Sequence, residues 1–196
     1  MNFLAHLYLS FDNDQIAIGN FIADAVKGRQ YLNFEDQIQR GILIHREIDR
    51  YTDQHEIVKA GKRRLKTYRH YSSVIMDIFY DHFLARDWSH YSNEPLEQFT
   101  KRHYDLMYRH IEILPNKAKH ILSYMAPSDW LLNYKNLDGI EFALSGMSKR
   151  TAFDSKMDLA INDLKKDYEL YHKEFRVFFL EVIEHIHSFA DQLTIK

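Results

Sequence analysis

GILIHREIDRYTD (residues 41–53) and VIMDIFYDHFLARD (residues 74–87) decide the fold of this chain. In the first stretch His45, Asp49 and Asp53 fall four residues apart, so a helix lines them along one face. In the second, Asp77 and Asp81 repeat the step and His82 follows directly. The residues around them are apolar: Gly41 to Ile44 and Ile48 in the first, Val74 to Met76, Ile78 to Tyr80, Phe83 and Leu84 in the second. Carboxylates are rare on helices that bury most of their surface unless something pairs with them. Imidazole and carboxylate on facing helices suit a divalent cation and a polarised water.

Working outward, the rest of the chain reads as helix. Six glycines and three prolines are few for 196 residues, and long patterns of period 3.6 run between them. The expected fold is all-α, a single-domain helical bundle over residues 1–196 with a long C-terminal helix. Helices are expected over residues 2–10, 16–27 (ending at Gly28), 34–50, 52–70, 74–87, 95–113, 116–125, 128–134 (capped by Ser128) and 138–147. At the C-terminus Met157, Ile161, Leu164, Tyr168, Tyr171, Phe175, Phe178, Val182, Ile186 and Phe189 recur at steps of three and four. One helix of roughly 35 residues could carry them, which is long for a globular domain.

Composition narrows the chemistry. Apolar residues make up 45% of the chain, as in a folded protein, and the net charge of -2 gives no argument for nucleic acid. The absence of cysteine excludes disulfides, thiolate catalysis and cysteine-held zinc, and fits a reducing cytoplasm. A metal would be held by His, Asp, Glu, Asn or backbone, which favours harder ions such as Mn2+ or Mg2+. No targeting segment or membrane span is expected. Arg46, beside His45, could fork onto phosphate oxygens. Asn20 and Asp24 in GNFIAD share a face, and Asp24 is costly to bury unpaired. His6, in NFLAHLYLS, is taken alone a core histidine rather than a ligand.

A second feature is electrostatic. Lys59, Lys62, Arg63, Lys66 and Arg69 recur at helical steps in KAGKRRLKTYRH, and no acidic residue lies between Ile57 and Met76. A solvated face is the default reading of such a stripe. An acidic partner is the alternative.

In this order, NFLAHLYLS, GNFIADAVKG, GILIHREIDRYTD, DIFYDHFLARDW, SDWLLNY and GIEFALSGMSKR resemble the bacterial acyl carrier protein phosphodiesterase family. The resemblance implies a helical protein akin to the HD-domain metal phosphohydrolases, although the doublet here reads Asp81-His82 rather than His-Asp. It implies a Mn2+-favouring hydrolysis of the phosphodiester between 4′-phosphopantetheine and the serine of holo acyl carrier protein. The carrier protein is small and acidic, which gives the basic stripe a partner. On this reading one or two cations are held by some of His6, Asp24, His45, Asp49, Asp81 and His82. Asp24 or Asp53 orients or deprotonates the attacking water, and Arg46 neutralises phosphoryl charge. Two rivals remain: a metal phosphodiesterase acting on a nucleotide or other small diester, and a non-catalytic helical binding protein for an acidic partner.

Overall fold

The computed structural model describes residues 1–151 and 153–193. Eleven α-helices and no strand occur among them: α1 (Phe3–Tyr8), α2 (Asp14–Ile22), α3 (Asp36–Gln54), α4 (Glu56–Arg64), α5 (Ser72–Arg86), α6 (Leu96–Arg109), α7 (Asn116–Met125), α8 (Trp130–Asn133), α9 (Leu137–Ser148), α10 (Ala160–Lys166) and α11 (Tyr168–Gln192). One contiguous hydrophobic cluster runs through the chain from Met1 to Ala190.

The closest helix pair positions the site. A Cβ on Gly19 of α2 would stand 2.2 Å from the carbonyl oxygen of Ile38, and one on Gly41 of α3 would stand 2.2 Å from that of Ile16. Only hydrogen fits at both places, so the two backbones touch and α2 is buried from Ile16 to Ile22. His45 follows Gly41 by one turn of α3 and so lies against Asn20 of α2.

Helix α5 is the central rod, buried from Ile78 to Ala85 without interruption. It packs against α1, α4, α9 and α11. Helix α11 meets it with Tyr171, Phe175 and Phe178, all fully buried. Phe175 and Phe179 stack at 5.1 Å, one turn apart. Each such ring contributes about 1.5–3 kcal/mol of burial.

Several expected boundaries move. Helix α2 gives way to a 3-10 turn after Ile22 instead of running to Lys27, and α6 ends at Arg109 rather than Ile113. The break between α3 and α4 falls at His55, whose Nδ1 accepts the Ile57 N–H and caps α4, rather than at Tyr51. Helix α8 starts at Trp130 after Asp129, which takes a left-handed conformation, while Ser128 uses its carbonyl to accept from Asn133. The expected 35-residue C-terminal helix is divided at Asp167 into the short α10 and the 25-residue α11. No proline or glycine marks that break. Tyr168, just beyond it, bonds through its hydroxyl to His82 and Arg86, so tertiary contacts fix where α11 begins.

Candidate metal centre

Three helical segments deliver the polar groups. His6 comes from α1, Asp24 from the 3-10 turn Ala23–Ala25 after α2, and His45 and Asp49 from consecutive turns of α3. His6 Nε2 lies 3.3 Å from Asp49 Oδ1, and His45 Nε2 lies 3.2 Å from Asp49 Oδ2 and 3.5 Å from Asp24 Oδ1. The two imidazoles stack at 3.9 Å. One atom each of His6, His45 and Asp49 lies within 4.8 Å of the others, a spacing that a single metal ion can bridge.

Asn20 orients both rings. His45 Nδ1 donates to its backbone oxygen at 2.8 Å, and His6 Nδ1 donates to its side-chain oxygen at 3.3 Å. The Asn20 amide in turn donates to Ser10 Oγ. With both Nδ1 atoms occupied, both Nε2 atoms turn toward Asp49, and His6 Nε2 also lies 3.1 Å from the Met1 carbonyl oxygen. Two lone pairs then face oxygen acceptors, an arrangement that needs a proton or a cation between them.

The titration behaviour agrees. Burial works against charge on His45, yet hydrogen bonds to Asp24 and Asp49 raise its pKa to about 9. Burial and the neighbouring His45 push His6 down. Burial alone would raise Asp49, but hydrogen bonds from His45 and His6 hold it far below the carboxylate range. Asp24 is lowered by its hydrogen bond with His45. Without metal His45 is therefore held in its charged form between Asp24 and Asp49.

A cavity of about 370 Å³ opens on this cluster. His6, Asp24, His45, Asp49, Asp53 and Asp77 line it together with Phe3, Val74, Ile121 and Met147. The Met1 α-amino group lies 3.0 Å from Asp77 and 3.8 Å from Asp49.

Four residues expected in the site have other partners. Asp81 is fully buried and accepts the Leu4 N–H at 2.8 Å and the Ala5 N–H at 3.4 Å, so it caps α1. His82 points elsewhere on α5, as adjacency on a helix requires: Nδ1 donates to the Tyr134 oxygen and Nε2 accepts from the Tyr168 hydroxyl. The Arg46 guanidinium donates to the Val26 oxygen at 2.9 Å and lies over the Tyr31 ring, and Arg46 does not line the cavity. Asp53 does line it, with Lys62 Nζ 2.6 Å away. Sequence reasoning left Asp77 and Asn20 out of the site. Their signals were the four-residue steps to Asp81 and Asp24.

The basic stripe does not run along one face. Helix α4 ends at Arg64, and residues Lys66–Tyr71 form a 3-10 segment with Arg69 at φ +52°. Lys59 pairs with Glu56 and Lys62 with Asp53, both acids from just before the stripe. Arg63, Lys66 and Arg69 are exposed and form no ion pair among the described residues.

The sequence model of the acyl carrier protein phosphodiesterase family matches residues 1–182. This chain belongs to that family. Similar proteins named acyl carrier protein phosphodiesterase include one from Yersinia enterocolitica, 29% identical over 181 residues, covering 91% of this chain and 94% of the relative. One from Escherichia coli O6:H1 is 31% identical over 187 residues (94% and 96%), and one from Enterobacter sp. strain 638 is 33% identical over 183 residues (91% and 94%). The match thus spans the candidate metal centre and the exposed cations Arg63, Lys66 and Arg69. No solved structure matches the chain, and the HD-domain likeness stays an expectation from the family resemblance. No helix among the described residues is long and apolar enough to cross a membrane.

Proposed function

We propose that this protein hydrolyses the phosphodiester joining 4′-phosphopantetheine to the serine of holo acyl carrier protein, with a divalent cation held by His6, His45 and Asp49. The observation that carries the reading is the pair of imidazole Nε2 atoms turned onto one carboxylate, within 4.8 Å of each other, in a chain of this family. The donor set fits the cation: two imidazoles and carboxylate oxygens, without thiolate, favour Mn2+ over the all-oxygen shell that Mg2+ prefers.

Such a cation supplies polarisation of a phosphoryl oxygen and a more acidic water. The protein's own groups do the rest. Asn20 holds both rings in the ligating tautomer. Asp24, its side chain 60% exposed beside His45, orients the attacking water and accepts its proton. Asp53 and Asp77 extend the acidic lining and keep further positive charge close. Phe3, Ile121 and Met147 give the apolar part of the pantetheine arm a dry surface. Arg46 is tied to Val26 and Tyr31 and is outside the cavity lining, so it is not the group that meets phosphoryl charge.

Arg63, Lys66 and Arg69 supply the docking charge for an acidic carrier protein. The segment that bears Lys66 and Arg69 runs into Ser73 and Val74, which line the cavity, so a partner held there reaches the site with its prosthetic arm. The setting is cytoplasmic, as the cysteine-free chain suits.

The test is turnover of holo carrier protein with Mn2+, with Mg2+ and with excess chelator, beside a panel of small phosphodiesters. Release of 4′-phosphopantetheine that needs the cation and exceeds turnover of the small diesters supports the reading. Undiminished release in chelator defeats the metal mechanism, and faster turnover of the small diesters defeats the substrate.

A further inference from the structure

Ser10 closes a ring of hydrogen bonds behind the metal centre. Its hydroxyl donates to the His6 carbonyl oxygen at 2.9 Å, and the same oxygen accepts from the Asn20 side-chain amide at 2.9 Å. Asn20 turns its side-chain oxygen to His6 Nδ1 at 3.3 Å. All three residues are buried, so water does not stand in for any of them.

Such a ring can run in two senses. In the first, Ser10 gives its proton to the carbonyl, Asn20 faces His6 with oxygen, and the His6 proton sits on Nδ1. In the second, Ser10 gives its proton to the Asn20 oxygen, the Asn20 amide N–H faces Nδ1, and the His6 proton sits on Nε2. The second sense has support of its own, because Nε2 lies 3.1 Å from the Met1 carbonyl oxygen and 3.3 Å from Asp49 Oδ1, both acceptors. It would also block the nitrogen that a cation needs. The His6 carbonyl opposes it. A carbonyl only accepts, and the Ser10 N–H that a longer α1 would send to it goes to the Leu7 oxygen instead. Leaving that oxygen unpaired is unfavourable, and Ser10 has one hydroxyl proton to give. We propose that Ser10 is a positioning residue: by donating to the His6 carbonyl it fixes which way Asn20 faces, keeps the His6 proton on Nδ1 and leaves Nε2 open to the cation. The consequence for metal rests on the reading of His6 as a ligand, whereas the place of the proton is a property of the metal-free protein.

The experiment compares wild type, Ser10→Ala and the double variant Ser10→Ala with Asn20→Asp. The 15N spectrum of the His6 ring, taken without metal at a pH where His6 is neutral, reads which nitrogen carries the proton. Calorimetry reads Mn2+ affinity, and circular dichroism with thermal midpoint reads folding. Wild type should carry the proton on Nδ1. Ser10→Ala should carry it on Nε2 and bind Mn2+ about 10- to 100-fold more weakly. A carboxylate accepts from Nδ1 whichever way it turns, so adding Asn20→Asp should return the proton to Nδ1 and strengthen Mn2+ binding again. A proton on Nε2 in wild type overturns the assignment, as does one that stays on Nδ1 in Ser10→Ala, whatever the thermal midpoint. Should Ser10→Ala not fold, Ser10→Cys, a weak donor of similar size, reads the same change. Wild type that binds no Mn2+ while the ring proton moves as expected leaves the assignment standing and removes the metal reading.

Discussion

Asp81→Ala should unfold this protein early rather than strip its metal. Asp81 accepts the Leu4 and Ala5 N–H groups at the start of α1, and Asn2, at the N-cap position, makes no capping bond with its own side chain. Alanine leaves two buried donors unpaired at about 1–3 kcal/mol each. Relief of the buried carboxyl, whose pKa burial pushes up to about 7, offsets part of that. The net loss is about 2–4 kcal/mol, or roughly 5–15 °C in thermal midpoint for a chain of this size. Asp81→Asn keeps one acceptor oxygen, so it should cost less than about 2 kcal/mol and bind Mn2+ with wild-type stoichiometry. Urea unfolding followed by circular dichroism, with metal content on the same samples, reads both. The sign of the pH dependence is fixed as well. The folded protein holds a proton on Asp81 that the unfolded chain releases near pH 4, so this group's contribution to stability falls as pH rises from about 4 to about 7. The Asn variant should lack that fall. An Asn variant with wild-type stability and no bound metal would make Asp81 a ligand and refute the reasoning, as would an Ala variant with an unshifted midpoint.

Asp49→Asn and His45→Ala should each lose metal and nearly all turnover while keeping helical circular dichroism; wild-type metal content in either would place the cation elsewhere. His45 is raised from its ordinary value to about 9, so the metal-free protein gains stability from it below pH 6.5 and loses that gain as pH climbs through 9. Its thermal midpoint should therefore drop between pH 7 and pH 9.5, and Mn2+, which takes the place of that proton, should lessen the drop. Gly41→Ala puts a methyl 2.2 Å from the Ile16 oxygen, and should cost about 3 kcal/mol or more in urea unfolding as α2 and α3 are forced apart; a neutral result would mean the helices can separate freely. Reversing Arg63 and Lys66 to Glu should raise KM for holo carrier protein and flatten its salt dependence while leaving a small phosphodiester untouched, and equal effects on both substrates would exclude docking.

What the sequence made legible is what helical spacing controls. The four-residue step in HREID placed His45 and Asp49 together, and the apolar runs around Asp77 placed α5 in the core. The same step misled at Asp81. Residues four apart share a face but stand about one turn apart along the axis, so Asp77 reaches the cavity while Asp81 reaches the end of α1. The contact of Gly19 with Gly41 cannot be read from either segment alone, yet it sets His45 against Asn20. Asn20 looked like the partner of Asp24 along one helix, and its work lies across to α1 and α3. The stripe from Lys59 to Arg69 kept its spacing past the point where α4 stops, because KTYRHY carries no proline or glycine to announce the change of helix type. The division of the C-terminal helix at Asp167 has the same origin in distant partners, here His82 and Arg86 bonding Tyr168.

Hydrolysis of holo carrier protein in 18O-labelled water, read by intact mass of both products, tests the central claim most directly. Water attacking phosphorus at this centre should yield apo carrier protein of unlabelled mass and 4′-phosphopantetheine carrying one 18O in its phosphate, and no product in chelator. Holo carrier protein that keeps its prosthetic group in the presence of metal-loaded protein, or label that appears on the carrier serine, would contradict it.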